Sequence, residues 1–384
     1  MTPDDAEGAR VRAGGIHADA AGYDVIVREG ALDQLADCVT AAAPAAAYAV
    51  ITPRNLAATY GARAVAALRG AGLRAELLAF DDREAWKTRE TWAALTDHML
   101  ELELGRDSCV VAVGGGVTGD VAGFVAATYM RGLPFVQVPT TLLAMIDASV
   151  GGKTGVDTHA GKNLVGAFHA PAVVVIDPAA LRTLPAVELR SGLAEAVKHG
   201  AILDAAYFRW IDHHANELLA LDAAALAHLI ARSVELKVDI VSGDPLEKGR
   251  RAILNFGHTV GHGLEHFSRF TVPHGFAVSV GMCIEASLGE AVGVTRTGTA
   301  LEIANVLARL GLPTQSAFEP DALLHAMAID KKARVAQPHF VLLRHVGECA
   351  PDEKGKWTHA VDAEVLRTGL RDAAQHAARA SDLV

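Results

Sequence analysis

The chain is predicted to carry an α/β N-terminal domain with a Rossmann-like parallel sheet, followed by a mainly α-helical C-terminal domain. Short apolar, β-rich runs alternate with helical periods up to about residue 177, the pattern of a parallel sheet covered by helices. Strand signals then fade and long helical periods take over. The 384 residues also exceed what one hydrophobic core commonly supports. Two domains are therefore expected, 1–177 and 178–384, with the active site in the cleft between them.

The predicted strands are YDVIV (23–27), AYAVI (47–51), AELLAF (75–80), CVVAV (109–113), FVQV (135–138) and AVVVID (172–177). Helices are expected over 31–43, 55–72 and 89–104, where apolar residues recur at three and four. Beyond 177, helices are expected in ELRSGLAEAVKHGAILD, AAALAHLIARSVELKVDIV, HTVGHGLEHF and FAVSVGMCIEASLGEAV, with one late β-rich piece, HFVLL (339–343). Residues 1–20 and the last few read as loose ends.

Composition narrows the function. Hydrophobic residues make up 51% and charged ones 21%, an ordinary globular balance. A net charge of -10 leaves no basic surplus for a nucleic-acid backbone. Cys38, Cys109, Cys283 and Cys349 are widely spaced, which fits neither a disulfide framework nor a cysteine zinc site. The N-terminus lacks a basic start followed by an apolar run, and no segment offers a membrane-length apolar stretch. A cytoplasmic protein without membrane or nucleic-acid partners is expected.

In VVAVGGGVTGDVAGFVAATYM (110–130), Gly114, Gly116 and Gly119 satisfy G-x-G-x-x-G directly after a strand and before a helix. Such glycines let backbone approach a pyrophosphate at a helix N-terminus; the plain alternative is a glycine-rich turn with no ligand. The motif sits in the fourth strand–helix unit rather than the first, and no acidic residue follows at the ribose spacing. The plain reading of Asp120, at the helix start, is that it serves the helix dipole. DASVGGKTGVDTHAGKNLVGAF (147–168) sets Lys153 and Lys162 among glycines, read as loop lysines, with Arg131 upstream and Asn163 adjacent. Any one of these is ordinarily a solvated charge; together they make a site for a small anion.

NFGHTVGHGLEHFSRFTVPHG (255–275) holds His258, His262, His266 and His274. Histidines four apart share a helix face, which suits a metal. With 17 histidines in the chain, chance clustering competes, and His266 reads as structural. Glu195 in SGLAEAVKHG is the best additional carboxylate, with Lys198 one turn on; its apolar flanks argue for a buried pair rather than a surface one. Spacing alone does not choose the ligands.

Taken together, GGGVTGDVAGFVAATYMRG, QVPTTLLAMIDASVGGKTGV, GKNLVGAF, SGLAEAVKHG, LNFGHTVGH and VPHG resemble the 3-dehydroquinate synthase family of sugar-phosphate cyclases, in family order over roughly residues 23 to 370. The resemblance implies an enzyme that uses catalytic NAD and a divalent metal, zinc or another such as cobalt. It would convert 3-deoxy-arabino-heptulosonate 7-phosphate to 3-dehydroquinate with loss of phosphate, in the shikimate pathway. It implies metal ligands Glu195, His258 and His274. Catalytic and substrate positions are implied at Asp147, Lys153, Asn163, Lys198, Lys237, Arg251, Asn255 and His262, with Glu247 as proton acceptor. Arg131 matches a residue that reaches the neighbouring subunit's site, implying a homodimer, and Lys331 or Lys332 would close over the phosphate. NAD positions are implied at Gly114, Gly115, Gly116, Asp120, Thr140, Thr141 and Lys162, with Glu84 and Lys87 matching a GExxK motif.

Three departures stand out. The family's HGEAV is HGFAV here, so Phe276 replaces an acid. VITPRN places Pro53 and Arg54 where the early cofactor turn usually carries an acid. The DKK stretch runs into ARVAQPHFVLL without the usual glycine. These changes keep aminodehydroquinate synthase, or another cyclase of secondary metabolism, as the nearest rival. An NAD- and metal-dependent alcohol dehydrogenase of the glycerol dehydrogenase type, and a non-catalytic homologue, are the more distant ones.

Overall fold

The computed structural model describes residues 8–15, 22–81, 83–159, 161–330 and 338–381. The chain forms two compact units, Met1–Leu184 with Leu226–Leu246, and Pro185–Ala225 with Glu247–Val384.

The first unit contains β1 (Ala9–Ala13), β2 (Tyr23–Val27), α1 (Leu35–Ala42), β3 (Ala47–Pro53), α2 (Arg54–Leu56), α3 (Ala62–Gly70), β4 (Arg74–Phe80), α4 (Arg89–Glu101), β5 (Ser108–Gly114), α5 (Gly116–Thr128), β6 (Phe135–Pro139), β7 (Lys153–Thr158), β8 (Gly161–Phe168) and β9 (Val173–Ile176). Seven strands build one sheet in the order β1-β2-β9-β6-β5-β3-β4. It is parallel throughout except for β1, which runs antiparallel to β2. β3, β5, β6 and β9 are buried along their whole length, as expected of Val- and Ile-rich strands with helices on both faces. All six predicted strands appear within about one or two residues.

From β3 the chain continues to β4 on one side, whereas β5 lies on the other side of β3 and leads on to β6. The order of the sheet therefore reverses at the β3/β5 pair. Ligands of open α/β sheets bind outside the carboxyl ends of strands at such a point. The glycine turn after β5 sits there although it belongs to a late strand–helix unit.

Two expectations about the first unit need correction. Residues 9–13 are not a loose end but the edge strand β1; its outward Arg10 and Arg12 pair with Asp24 at 3.8 and 3.0 Å, and those charges hid the alternation. Lys153, Lys162 and Asn163 lie not on a loop but on the β7–β8 hairpin. Its glycines are required by close strand approach, since a Cβ on Gly166 would stand 2.2 Å from the Thr154 carbonyl oxygen. The helix expected over 55–72 is present from Arg54 to Gly70, with a wide turn at Ala57–Gly61 between α2 and α3.

In the remaining chain α6 (Ala186–Leu203), α7 (Ala205–His213), α8 (Ala215–Leu219), α9 (Ala223–Gly243), α10 (His258–Phe267), α11 (His274–Ala291), α12 (Thr299–Arg309) and α13 (Pro320–Asp330) precede four short strands, β10 (His339–Phe340), β11 (Leu342–His345), β12 (Glu348–Ala350) and β13 (His359–Ala360). α14 (Ala363–Ser381) follows. Most of α9 returns to the first unit, where Ser242 Oγ accepts the Gly14 N–H at 3.0 Å and the Lys237 ammonium meets the Asp147 carboxylate. The units are thus not separated by one break at 177, because α9 carries side chains that pair inside the first.

α10 and α11 touch through glycines. A Cβ on Gly281 would stand 2.0 Å from the Gly257 carbonyl oxygen, and Gly257 itself has φ 77°, a left-handed conformation that glycine adopts without strain. Val260, Leu264, Ala277, Val280 and Ile284 bury the rest of this contact. Among the described residues, no helix is long and apolar enough to cross a membrane.

Candidate active site

Glu195 is fully buried on α6 and Lys198, one turn later, is 1% exposed. Residues Gly192 to Val197 are all buried around them, so the pair is not a surface one. The Lys198 ammonium is ion-paired with Glu195 Oε2. The other oxygen, Oε1, lies 3.5 Å from His258 Nε2 and 3.3 Å from His274 Nε2. A tetrahedral zinc ion with bonds of about 2.0–2.1 Å separates its ligands by roughly 3.3–3.4 Å. The donor set therefore has the spacing and chemistry of a divalent metal site, with Lys198 leaving one carboxylate oxygen to ligate. His258 sits at the start of α10, and its Nδ1 lies 3.1 Å from the Phe256 carbonyl. A carbonyl only accepts, so Nδ1 carries the proton and Nε2 presents its lone pair.

The electrostatics divide the two histidines. Burial, reinforced by the Lys198 charge and opposed by Glu195, lowers His258 to about 3, keeping it in the neutral ligating form. Burial also acts to lower His274, but hydrogen bonds and charge from Glu195 and Glu265 outweigh it and raise it to about 10. His262 joins Glu265 and His274 in a second metal-capable trio, and its ring centroid is 5.3 Å from that of His258. His266 packs instead on Phe270, at 5.0 Å between ring centroids.

Two buried carboxylates were missed in the sequence. Glu265 Oε2 lies 3.4 Å from His274 Nδ1. Glu285, fully buried on α11, accepts the N–H groups of Gly257 and Val260. Helical periodicity held the signal for Glu265, seven residues after His258 and so on the same face. For Glu285 the signal was a single acid within an apolar helix.

In the first unit, Gly114 closes β5 and α5 begins at Gly116 after an N-cap, Gly115, that supplies no side-chain cap. Its first-turn N–H groups are left to a ligand or water. A Cβ on Gly114 would stand 2.4 Å from Thr118 Oγ1. Pro139 pairs with Gly114 across the sheet, which sets Thr140 and Thr141 beside the turn. Among the described residues the buried Thr140 hydroxyl meets no hydrogen-bond partner. A helix start with free amides, glycine backbone and an unsatisfied hydroxyl fits the phosphates of a dinucleotide.

Beside it, the Lys87 ammonium donates to Asp120 Oδ2 at 2.5 Å and to Asn163 Oδ1 at 2.6 Å. Burial opposes its charge, but Asp120, Glu84 and Asp157 overcome this and hold its pKa above the ordinary lysine value. Lys162 pairs with Glu84 at 2.9 Å. Asn163, expected with the substrate residues, thus has its carboxamide oxygen taken by Lys87. Lys237 is buried and donates to both the carboxylate and the backbone carbonyl of Asp147, bringing two of the expected residues together. Asn255 Nδ2 meets Glu247 Oε1 at 3.3 Å, and Arg251 is buried on the same turn, Arg250–Asn255. Lys153 is exposed at the start of β7. Arg131 is exposed and left-handed, φ 71°. Lys331 and Lys332 lie outside the described residues.

A glycine turn at a sheet's reversal point, and a carboxylate with two histidines at metal spacing, mark the chain as an enzyme. Models of the 3-dehydroquinate synthase N-terminal and C-terminal regions match residues 77–191 and 192–333. The 3-dehydroquinate synthase of Caulobacter vibrioides (strain NA1000 / CB15N) is 44% identical over 335 residues, 85% of this chain and 90% of its own. That of Symbiobacterium thermophilum is 43% identical over 352 residues, 91% and 97% of the two chains. A crystal structure of 2-deoxy-scyllo-inosose synthase complexed with carbaglucose-6-phosphate, NAD+ and Co2+ matches with a TM-score of 0.87 at 25% identity, covering 95% of this chain and 100% of that one. The chain belongs to the 3-dehydroquinate synthase family.

Proposed function

We propose that this enzyme cyclises 3-deoxy-arabino-heptulosonate 7-phosphate to 3-dehydroquinate, releasing phosphate, with a divalent metal and catalytic NAD. The observation that carries the reading is the convergence of Glu195, His258 and His274 at metal-ligand separations under Lys198, in a chain 44% identical to a 3-dehydroquinate synthase.

In this reading those three residues hold the metal, zinc or cobalt. Gly114, Gly115, Gly116, Thr140 and Thr141 take the cofactor's phosphates, and Asp120, Glu84, Lys87 and Lys162 frame it. Bound there, the metal would supply Lewis acidity toward a substrate hydroxyl, and NAD would supply a hydride acceptor and donor. The protein's own part is binding, orientation and proton handling. Lys153, Lys237 and Arg251, with Lys331 or Lys332, neutralise the substrate's carboxylate and phosphate. Asn163 contributes its amide N–H groups, its oxygen being held by Lys87. Glu247, oriented by Asn255, accepts a proton. His262 contacts substrate beside the metal, Lys198 steadies Glu195, and Asp147 orients Lys237.

The enzyme is further proposed to act in the cytoplasm, within the shikimate pathway, as a homodimer. Leu164 and Phe168, four apart and so on one face of β8, are each more than a third exposed, an apolar strip suited to a second copy, and Arg131 would reach the partner's site. Phe276, in place of an acid, favours the amino-sugar cyclase as the second reading. Product mass separates them: incubated with metal, NAD and either 3-deoxy-arabino-heptulosonate 7-phosphate or its amino counterpart, the enzyme is expected to turn over the first. Turnover of the amino substrate alone would reverse the assignment.

A further inference from the structure

We infer that Glu265 is a positioning residue of the metal centre, holding the ligand His274 from its far side; this rests on reading Glu195, His258 and His274 as the ligands. His274 is gripped at both ring nitrogens. Nε2 faces Glu195 Oε1 at 3.3 Å, and Nδ1 faces Glu265 Oε2 at 3.4 Å. A carboxylate on the distal nitrogen fixes both tautomer and ring orientation, and makes the ligating nitrogen more basic.

Glu265 comes from a different helix from the histidine it holds. It lies on α10, seven residues after the ligand His258 and on the same face, whereas His274 opens α11. The two helices can present these side chains to each other because their backbones nearly touch: a Cβ on Gly261 would stand 3.2 Å from Val278 Cα. Glu265 is itself 7% exposed, so its carboxylate is held in place rather than waving in solvent.

The test is cobalt binding to metal-free protein, followed by chelator competition and by the cobalt absorption spectrum. Glu265→Ala is expected to weaken cobalt binding by about 10–100-fold while the spectrum of the bound ion keeps its wild-type shape. Glu265→Gln, which keeps an acceptor but not the charge, should fall between wild type and Glu265→Ala. Unchanged affinity in Glu265→Ala would overturn the inference, as would a spectrum showing that a ligand had been lost, since Glu265 would then belong to the coordination sphere with His262. If Glu265→Ala does not fold, Glu265→Gln decides: weaker binding than wild type supports the role and equal binding refutes it. A wild-type protein that bound no cobalt would instead overturn the ligand set, and Glu265's role with it.

Discussion

Glu285 on α11 accepts the backbone N–H of Gly257 at 2.9 Å, at the turn that starts α10. Its second oxygen accepts the Val260 N–H at 3.1 Å. A side chain from one helix thus caps the other, and the capped turn begins with His258. Glu285→Ala strips two buried N–H groups of their acceptor, and should destabilise the protein by roughly 2–3 kcal/mol. Denaturant midpoints of metal-free wild type and variant check this. Cobalt affinity should fall as well, because His258 loses its anchored turn.

His258 and His274 give the metal-free protein a stability maximum near neutral pH. His274, raised to about 10, stabilises fully below its unfolded value of 6.5 and loses that contribution as pH rises through 10. His258, lowered to about 3, must stay neutral in the fold, so its contribution is lost as pH falls below 6.5. Metal displaces the His274 proton, so apparent affinity should rise about tenfold per pH unit between roughly 7 and 9. Calorimetric titrations in buffers of different ionisation enthalpy would show the released proton; a pH-independent affinity would contradict it.

Lys87 neutralises Asp120 in a buried setting. Lys87→Met leaves that carboxylate uncompensated and should lower stability by on the order of 3 kcal/mol. The thermal midpoint should recover in Lys87→Met/Asp120→Asn, measured by circular dichroism.

Gly114→Ala places a methyl 2.4 Å from the Thr118 hydroxyl. The turn must shift, and NAD affinity should fall at least about tenfold, which is ~1.4 kcal/mol. Cobalt affinity should stay at the wild-type level, because that site belongs to the other unit. Equilibrium dialysis with each ligand separates the two effects.

The parallel strands were legible because buried strands read as unbroken Val and Ile runs, and α10 and α11 because their apolar periods are long. β1 was not, since Arg10 and Arg12 pair outward with Asp24 and resemble a polar tail. The β7–β8 hairpin was hidden because glycine reads as loop, whereas Gly155 and Gly166 are there to let two strands close. The return of α9 to the first unit depends on Ser242 and Lys237, single residues with no periodic signature. In the site, Glu195 and the histidines stood out by type and context. Glu265 and Glu285 act across a helix contact, and pairing between helices is invisible to spacing along one of them.

The most direct measurement is a parallel count of inorganic phosphate and NADH when the metal-loaded enzyme meets 3-deoxy-arabino-heptulosonate 7-phosphate and a trace of NAD. One phosphate per substrate consumed, many turnovers per NAD and no net NADH are expected, because the hydride taken from the substrate is returned to it. NADH accumulating in step with substrate loss, without phosphate, would identify a dehydrogenase and contradict the proposed cyclisation.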